Sequence, residues 1–178
     1  MTLDKNHRTP LIGIAGWKKS GKTTLVVRLI EEFARRGLRV STIKHAHHSF
    51  QIDDANTDSA RHRRAGAGQV AIVSSHRWAL VRELGDAPEP TLEDMVQKLD
   101  PCDLIIVEGY KSAPIPKIEV RRRGAFGDEP LSPRDRNVIA IAADHDIPHS
   151  DVPVLSLDDV AGIADAIVAA VGPVARRG

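Results

Sequence analysis

Gly16 and Gly21 stand with four residues between them, and Lys22 and Thr23 follow directly, in the stretch Gly16-Trp17-Lys18-Lys19-Ser20-Gly21-Lys22-Thr23. That spacing of glycines, lysine and hydroxyl is the pattern of a phosphate-binding loop. Its chemistry is electrostatic. Successive backbone N–H groups and the positive end of the following helix face an anion, where partial positive charge favours it. Lys22 reaches the β- and γ-phosphates, and Thr23 places its hydroxyl on Mg²⁺.

A second group with chemistry is Asp103-Leu104-Ile105-Ile106-Val107-Glu108-Gly109, where four apolar residues lead to an acid and a glycine. This describes a buried strand whose last residue emerges beside the phosphate loop, the Walker B arrangement. Glu108, at the far end, is the acid that acts on Mg²⁺ or on the attacking water. Asp103 begins the strand and so belongs to the opposite edge. A third acid, Asp144, directly follows the apolar run Val138 to Ala143. It is either a turn or cap acid, or an acceptor for guanine N1 and N2 that selects GTP over ATP.

The polar stretch from Lys44 to Ser59 holds His45, His47, His48, Asp53 and Asp54. It follows a strand's carboxyl end, the rim where parallel sheets bind ligands. Asp53 or Asp54 there reaches Mg²⁺ or its waters, or belongs to a solvated acidic turn. The histidines, with Asp53 as an oxygen donor, admit a transition-metal site or plain hydrogen bonding to phosphate, partner or backbone.

These groups need elements to position them. Leu11 to Ala15 reads as a buried strand, and Leu25, Val26, Leu29, Ile30 and Phe33 recur at helical spacing after the loop. The helix predicted over 21–36 ends where Gly37 stops it, and Leu38 to Lys44 reads as a second strand. This βαβ opening implies a parallel sheet. A short helix is predicted over Asp58 to Ala67, capped by Thr57, with Arg61, Arg63 and Arg64 either on a solvated face or supplying one cation to phosphate charge. Val70 to Ser74 and Arg77 to Glu83 read as an antiparallel hairpin that extends the sheet at one edge. Thr91 opens a helix with Leu92, Met95, Val96 and Leu99 as its apolar stripe. Lys117 to Arg121, Val138 to Ala143 and Pro153 to Leu157 are further strands, and a last helix begins at Asp158. The stretch from Gly124 to Asn137 is a mobile loop or a partner surface. The predicted fold is α/β: a three-layer P-loop NTPase with a mostly parallel sheet, extended by the hairpin and flanked by helices on both faces.

At 178 residues, one nucleotide-binding domain over 1–178 is expected. A hydrophobic share of 42% and a charged share of 28% are ordinary for a globular chain. A formal net charge of +1 argues against nucleic acid or a membrane surface, and 3% aromatic residues against base stacking on single strands. The lone Cys102 excludes an intrachain disulfide and fits a reducing compartment. Met1 to Pro10 is too polar for a signal peptide, and the apolar runs are too short to span a bilayer. A cytoplasmic protein is expected.

The ordered set Gly21-Lys22-Thr23-Thr24-Leu25 after Trp17, Ile43-Lys44-His45-Ala46-His47-His48, Asp58-Ser59, Arg64-Ala65-Gly66-Ala67, Arg77-Trp78-Ala79-Leu80, Asp103 to Lys111 and Val138 to Ala142 resembles the molybdopterin-guanine dinucleotide biosynthesis protein B (MobB) family. The resemblance covers nearly the full length. It implies a GTP-binding protein of molybdenum-cofactor synthesis, a homodimer with weak GTPase activity. Such a protein serves as adaptor or nucleotide supplier for the guanylyltransferase (MobA type) that joins GMP to molybdopterin. By position, Gly16 to Thr24 bind phosphate and Mg²⁺, Glu108 is the Walker B acid, and Asp53 matches an acid of the family's histidine loop. The chain departs from the family's usual Asp-x-Pro-Gly-Lys-Asp-Ser in that loop, reading Asp53-Asp54-Ala55-Asn56-Thr57-Asp58-Ser59. Ser49 and Gln51 also replace family acids, and Lys18 and Lys19 replace smaller residues. Two rival readings are a small P-loop kinase and a metallochaperone GTPase built on His45, His47 and His48.

Overall fold

The computed structural model describes residues 9–46, 57–125, 129–172 and 174. They fall into two compact units, one made of the chain up to His45 together with Leu92 onward, the other of Ala46–Thr91.

The first unit is built on six strands: β1 (Leu11–Gly16), β2 (Val40–Lys44), β5 (Leu104–Glu108), β6 (Lys117–Arg121), β7 (Val138–Ala143) and β8 (Val154–Ser156). They lie in the order β2-β5-β1-β6-β7-β8, and every pairing is parallel. Parallel strands buried on both faces need near-continuous apolar runs, which β1, β5 and β7 supply. On one face, α1 (Lys22–Arg35) and α4 (Val160–Val171) cover Ile12, Ile14, Leu104, Ile106, Ile118 and Ala140. On the other, α3 (Leu92–Val96) and its flanks cover Ile43, Cys102, Ile105 and Val107. Side chains that alternate along β5 thus serve the two cores in turn, as the period of two requires.

Because all six strands run the same way, their carboxyl ends share one rim. The register aligns Lys44 and Ile14 with Glu108, Gly16 with Val120, and Arg121 with Ala143. Gly16, Lys44, Glu108 and Arg121 therefore end their strands on that rim. Asp103 lies below the opposite end, buried, with its Oδ2 accepting from the Arg39 backbone N–H at 2.7 Å. The choice of Glu108 over Asp103 as the rim acid agrees with this geometry.

The second unit holds α2 (Asp58–Arg64), β3 (Gln69–Val73) and β4 (Trp78–Arg82). Thr57 caps α2 as expected, accepting from the Ala60 N–H at 3.3 Å. The hairpin is antiparallel as expected, but it does not extend the large sheet. Its strands form a two-stranded sheet of their own. The physical reason lies within the unit. Val70 is buried and β3 packs on α2. Arg63 pairs with Glu83 at 3.0 Å, and the Glu83 N–H bonds to the Gly68 carbonyl. Among the described residues no helix is long and apolar enough to cross a membrane.

Candidate functional site

The loop between β1 and α1 takes its shape from backbone positions that ordinary residues avoid. Gly16 has φ of +148°, and a Cβ there would stand 2.5 Å from the Val120 carbonyl oxygen and 2.8 Å from Ser20 Oγ. Gly21, at φ +93°, caps α1 in the left-handed region. Only glycine enters these conformations without strain, and only glycine admits so close a neighbouring strand. The first N–H groups of α1 have no side-chain cap. They form the donor end that an anion satisfies.

Lys22 folds back over this loop, its Nζ donating to the Trp17 carbonyl at 2.6 Å. Burial lowers its pKa below the ordinary lysine value; Glu108 works against that, and Lys111 and Lys44 add to the lowering. Its proton is thus released at a lower pH than an ordinary lysine's. A triphosphate in the same place would restore the charged form. Thr23 Oγ1 donates to Glu108 Oε1 at 2.8 Å, and Lys44 Nζ lies 3.3 Å from the same oxygen. A hydroxyl and a carboxylate at contact distance form the kind of hard oxygen pair that Mg²⁺ takes, so the residues present fit that ion. Lys22, Thr23 and Glu108 are therefore brought together as their spacing implied.

Other groups complete the rim. Lys111 Nζ lies 4.0 Å from the centre of the Trp17 ring, a cation–π contact, and the Trp17 Nε1 donates to the Glu129 carbonyl at 2.6 Å. Ser20 is buried, and its hydroxyl has no partner among the described residues. Lys18, Lys19 and Thr24 are exposed on the loop and helix start. His45 stacks near Tyr110, with ring centroids 4.6 Å apart. Asp53, His47 and His48 lie outside the described residues, and of the ligands named for a histidine-loop metal site only His45 is among them. Among the described residues no cluster of three or more His, Cys, Asp or Glu is placed to hold a metal.

Asp144 follows β7 on the rim, as the sequence implied. Its Oδ1 accepts from the Arg123 N–H at 3.0 Å and meets His145 Nδ1 at 2.8 Å, while Arg122 Nε is 3.6 Å from Oδ2. The His145 hydrogen bond, opposed by burial and helped by the Arg123 N–H, holds its carboxyl below the usual range. The stretch after Gly124, expected to be a mobile loop or a partner surface, is pinned where it is described. Glu119 is buried in β6, and its carboxylate accepts from the Leu131 and Ser132 N–H groups at 2.8 and 2.9 Å. Lys117 is buried too and donates to Asp135 at 2.6 Å. Sequence reasoning placed the stretch beginning at Lys44 on the rim but gave that lysine no role, and it missed Arg122. Their signal was position alone: each ends or directly follows a parallel strand on its carboxyl side.

Comparison with known proteins agrees with this geometry. The model of the family Molybdopterin guanine dinucleotide synthesis protein B (MobB) matches residues 11–144. A molybdopterin-guanine dinucleotide biosynthesis adapter protein of Escherichia coli K12 is 41% identical over 161 residues, spanning 89% of this chain and 91% of that one. The Haemophilus influenzae protein of the same name is 40% identical over 165 residues, spanning 91% and 89%. Among solved structures, Bacillus subtilis MobB superposes with a TM-score of 0.70 at 25% identity, over 92% of this chain and 98% of that one. A crystal structure of molybdopterin-guanine biosynthesis protein B gives 0.68 at 26% identity, over 89% and 97%. With more than half its length matched by the family model and relatives at 40–41% identity along nearly the whole chain, this protein belongs to the MobB family.

Proposed function

We propose that this chain binds Mg²⁺ and GTP, hydrolyses GTP slowly, and acts in molybdenum-cofactor synthesis as the adaptor or nucleotide supplier for guanylation of molybdopterin. Its partner in that role is the guanylyltransferase of the pathway (MobA type). The observation that carries the nucleotide reading is the convergence of Lys22, Thr23 and Glu108 on one rim, beside an uncapped helix start. The names of the relatives, adapter proteins of molybdopterin-guanine dinucleotide biosynthesis, support the pathway.

In this reading Gly16 to Thr24 wrap the phosphates and Lys22 leaves the Trp17 carbonyl for the β- and γ-oxygens. Thr23 and Glu108 would hold Mg²⁺, which neutralises charge on those oxygens when bound. Glu108 orients water, and Lys44 and Lys111 keep the rim positive. Asp53 is proposed as a further acid toward the metal. Guanine is selected by an acid from the turn after β7, where Asp144 lies. The chain works as a homodimer, for which the second unit supplies an apolar face: Val73, Trp78 and Leu80 are 75%, 70% and 53% exposed. Val73 and Trp78 are cross-strand partners, as are Ala71 and Leu80, so these side chains share one side of the hairpin.

Competition of unlabelled ATP against labelled GTP tests the base preference. The reading expects ATP to displace GTP at least tenfold less well than GTP itself; equal displacement contradicts it.

A further inference from the structure

A cavity of about 370 Å³ opens beside the phosphate loop, a size within the usual range of small-ligand sites. Trp17 and Ser20 of the loop form part of its wall, and residues 121–125 and 145–148 form much of the rest. The cavity adjoins the phosphate cradle, because Arg122 Nη1 lies 3.8 Å from where a Gly21 Cβ would stand. A nucleotide with its phosphates on the loop can thus place its base in the cavity. Ser20 carries an independent sign of a ligand: its hydroxyl is buried with no hydrogen-bond partner among the described residues.

Guanine is read on the edge that carries N1–H and the 2-amino group, two donors that a carboxylate accepts side by side. Adenine has an acceptor at N1, so a carboxylate there rejects it. Among the described residues, four carboxylates lie on or next to this cavity. Glu119 has both oxygens engaged by the Leu131 and Ser132 N–H groups, with Arg121 added at 2.9 Å. Glu129 pairs with Arg134 at 2.6 Å. Asp144 ties the turn after β6 to the turn after β7, its Oδ1 shared between the Arg123 N–H and His145, and it is not on the cavity wall. Asp146 is on the wall, is exposed, and forms no hydrogen bond or ion pair among the described residues.

We propose that Asp146 is the carboxylate that reads the guanine edge, and that Asp144 is a latch holding the cavity's two turns together. This rests on the GTP reading above and assigns its base-specificity residue. An asparagine at the reading position keeps an acceptor for N1–H but turns one acceptor into a donor, which matches the 2-oxo group of xanthine instead of the 2-amino group of guanine. Mismatching a site built to hydrogen-bond its ligand is costly.

The test is calorimetric titration of the full chain, with Mg²⁺, using GTP, ATP and xanthosine 5′-triphosphate as probes. Wild type, Asp146→Asn, Asp146→Ala and Asp144→Asn are compared. Asp146→Asn should lose at least tenfold in GTP affinity and gain at least tenfold for the xanthosine nucleotide, a gain that a misfolded variant does not give. Asp146→Ala should lose the preference for GTP over ATP. Asp144→Asn should leave the ratio between GTP and the xanthosine nucleotide unchanged. A wild-type preference for GTP that persists unaltered in both Asp146 variants, or a switch in Asp144→Asn, overturns the assignment alone. A wild type that binds GTP no better than ATP overturns the guanine reading beneath it.

Discussion

Glu108 Oε1 carries two contacts at once, the Thr23 hydroxyl at 2.8 Å and the Lys44 ammonium at 3.3 Å. Replacing the carboxylate with an amide keeps the shape and an acceptor for Thr23, and removes the charge that faces Lys44 and Lys22. Glu108→Gln is therefore expected to bind GTP within a fewfold of wild type and to hydrolyse it about a hundredfold more slowly, the low end for a group that assists a proton transfer. Single-turnover hydrolysis checks it, and wild-type turnover would take Glu108 out of the mechanism. The rim acid, the lysine and the threonine were legible in the sequence because their positions follow from strand direction and motif spacing. The partners of Asp144 were not. His145 is its neighbour in the chain, but the Arg123 N–H and Arg122 come from the turn after β6, 21 residues earlier for Arg123, and no local pattern reports such a contact.

At the scale of elements, β6 does unusual work for a strand in the middle of a sheet. It alternates Ile118 and Val120, facing the α1–α4 core, with the buried Lys117 and Glu119. Those two charges hold the stretch from 129 to 137 against the sheet. Asp135 shows how strongly: burial would raise its pKa, but hydrogen bonds from Lys117 and Asn137 outweigh it and the net shift is downward. That stabilisation is fully present above the unfolded carboxylate pKa, and is lost as pH falls through the lower folded value. Asp135→Ala leaves Lys117, 1% exposed, without its counter-charge. A loss of about 3 kcal/mol is expected, the low end for breaking a buried pair because the Asp135 side is partly open to water. Urea denaturation measures it, and a change below about 0.5 kcal/mol would show that the pair does not hold this stretch. Alternation in β6 was readable as a strand. Its buried face was not, because charged residues at that period ordinarily mean a solvated side.

Across the whole molecule, the six-stranded unit followed from apolar runs and their turns, and its helices cover both faces as expected. The hairpin's independence did not follow, since antiparallel pairing is compatible equally with joining an edge or standing alone. A two-stranded sheet is marginal by itself, and this one exposes Trp78 and Val73. Trp78→Asp is expected to shift the chain from dimer to monomer in sedimentation at micromolar concentration, with GTP affinity unchanged per chain; a dimer of wild-type stability would remove this face from the interface. The central feature of the molecule is the grip of loop amides and Lys22 on a triphosphate. Its most direct measurement is calorimetric titration of Mg·GTP into wild type and Lys22→Ala. Wild type should bind one nucleotide per chain. The variant, keeping its thermal unfolding temperature, should lose about 2–3 kcal/mol, the range for a hydrogen bond to a charged group, or roughly a hundredfold in Kd. Equal affinity in the two proteins would contradict the site.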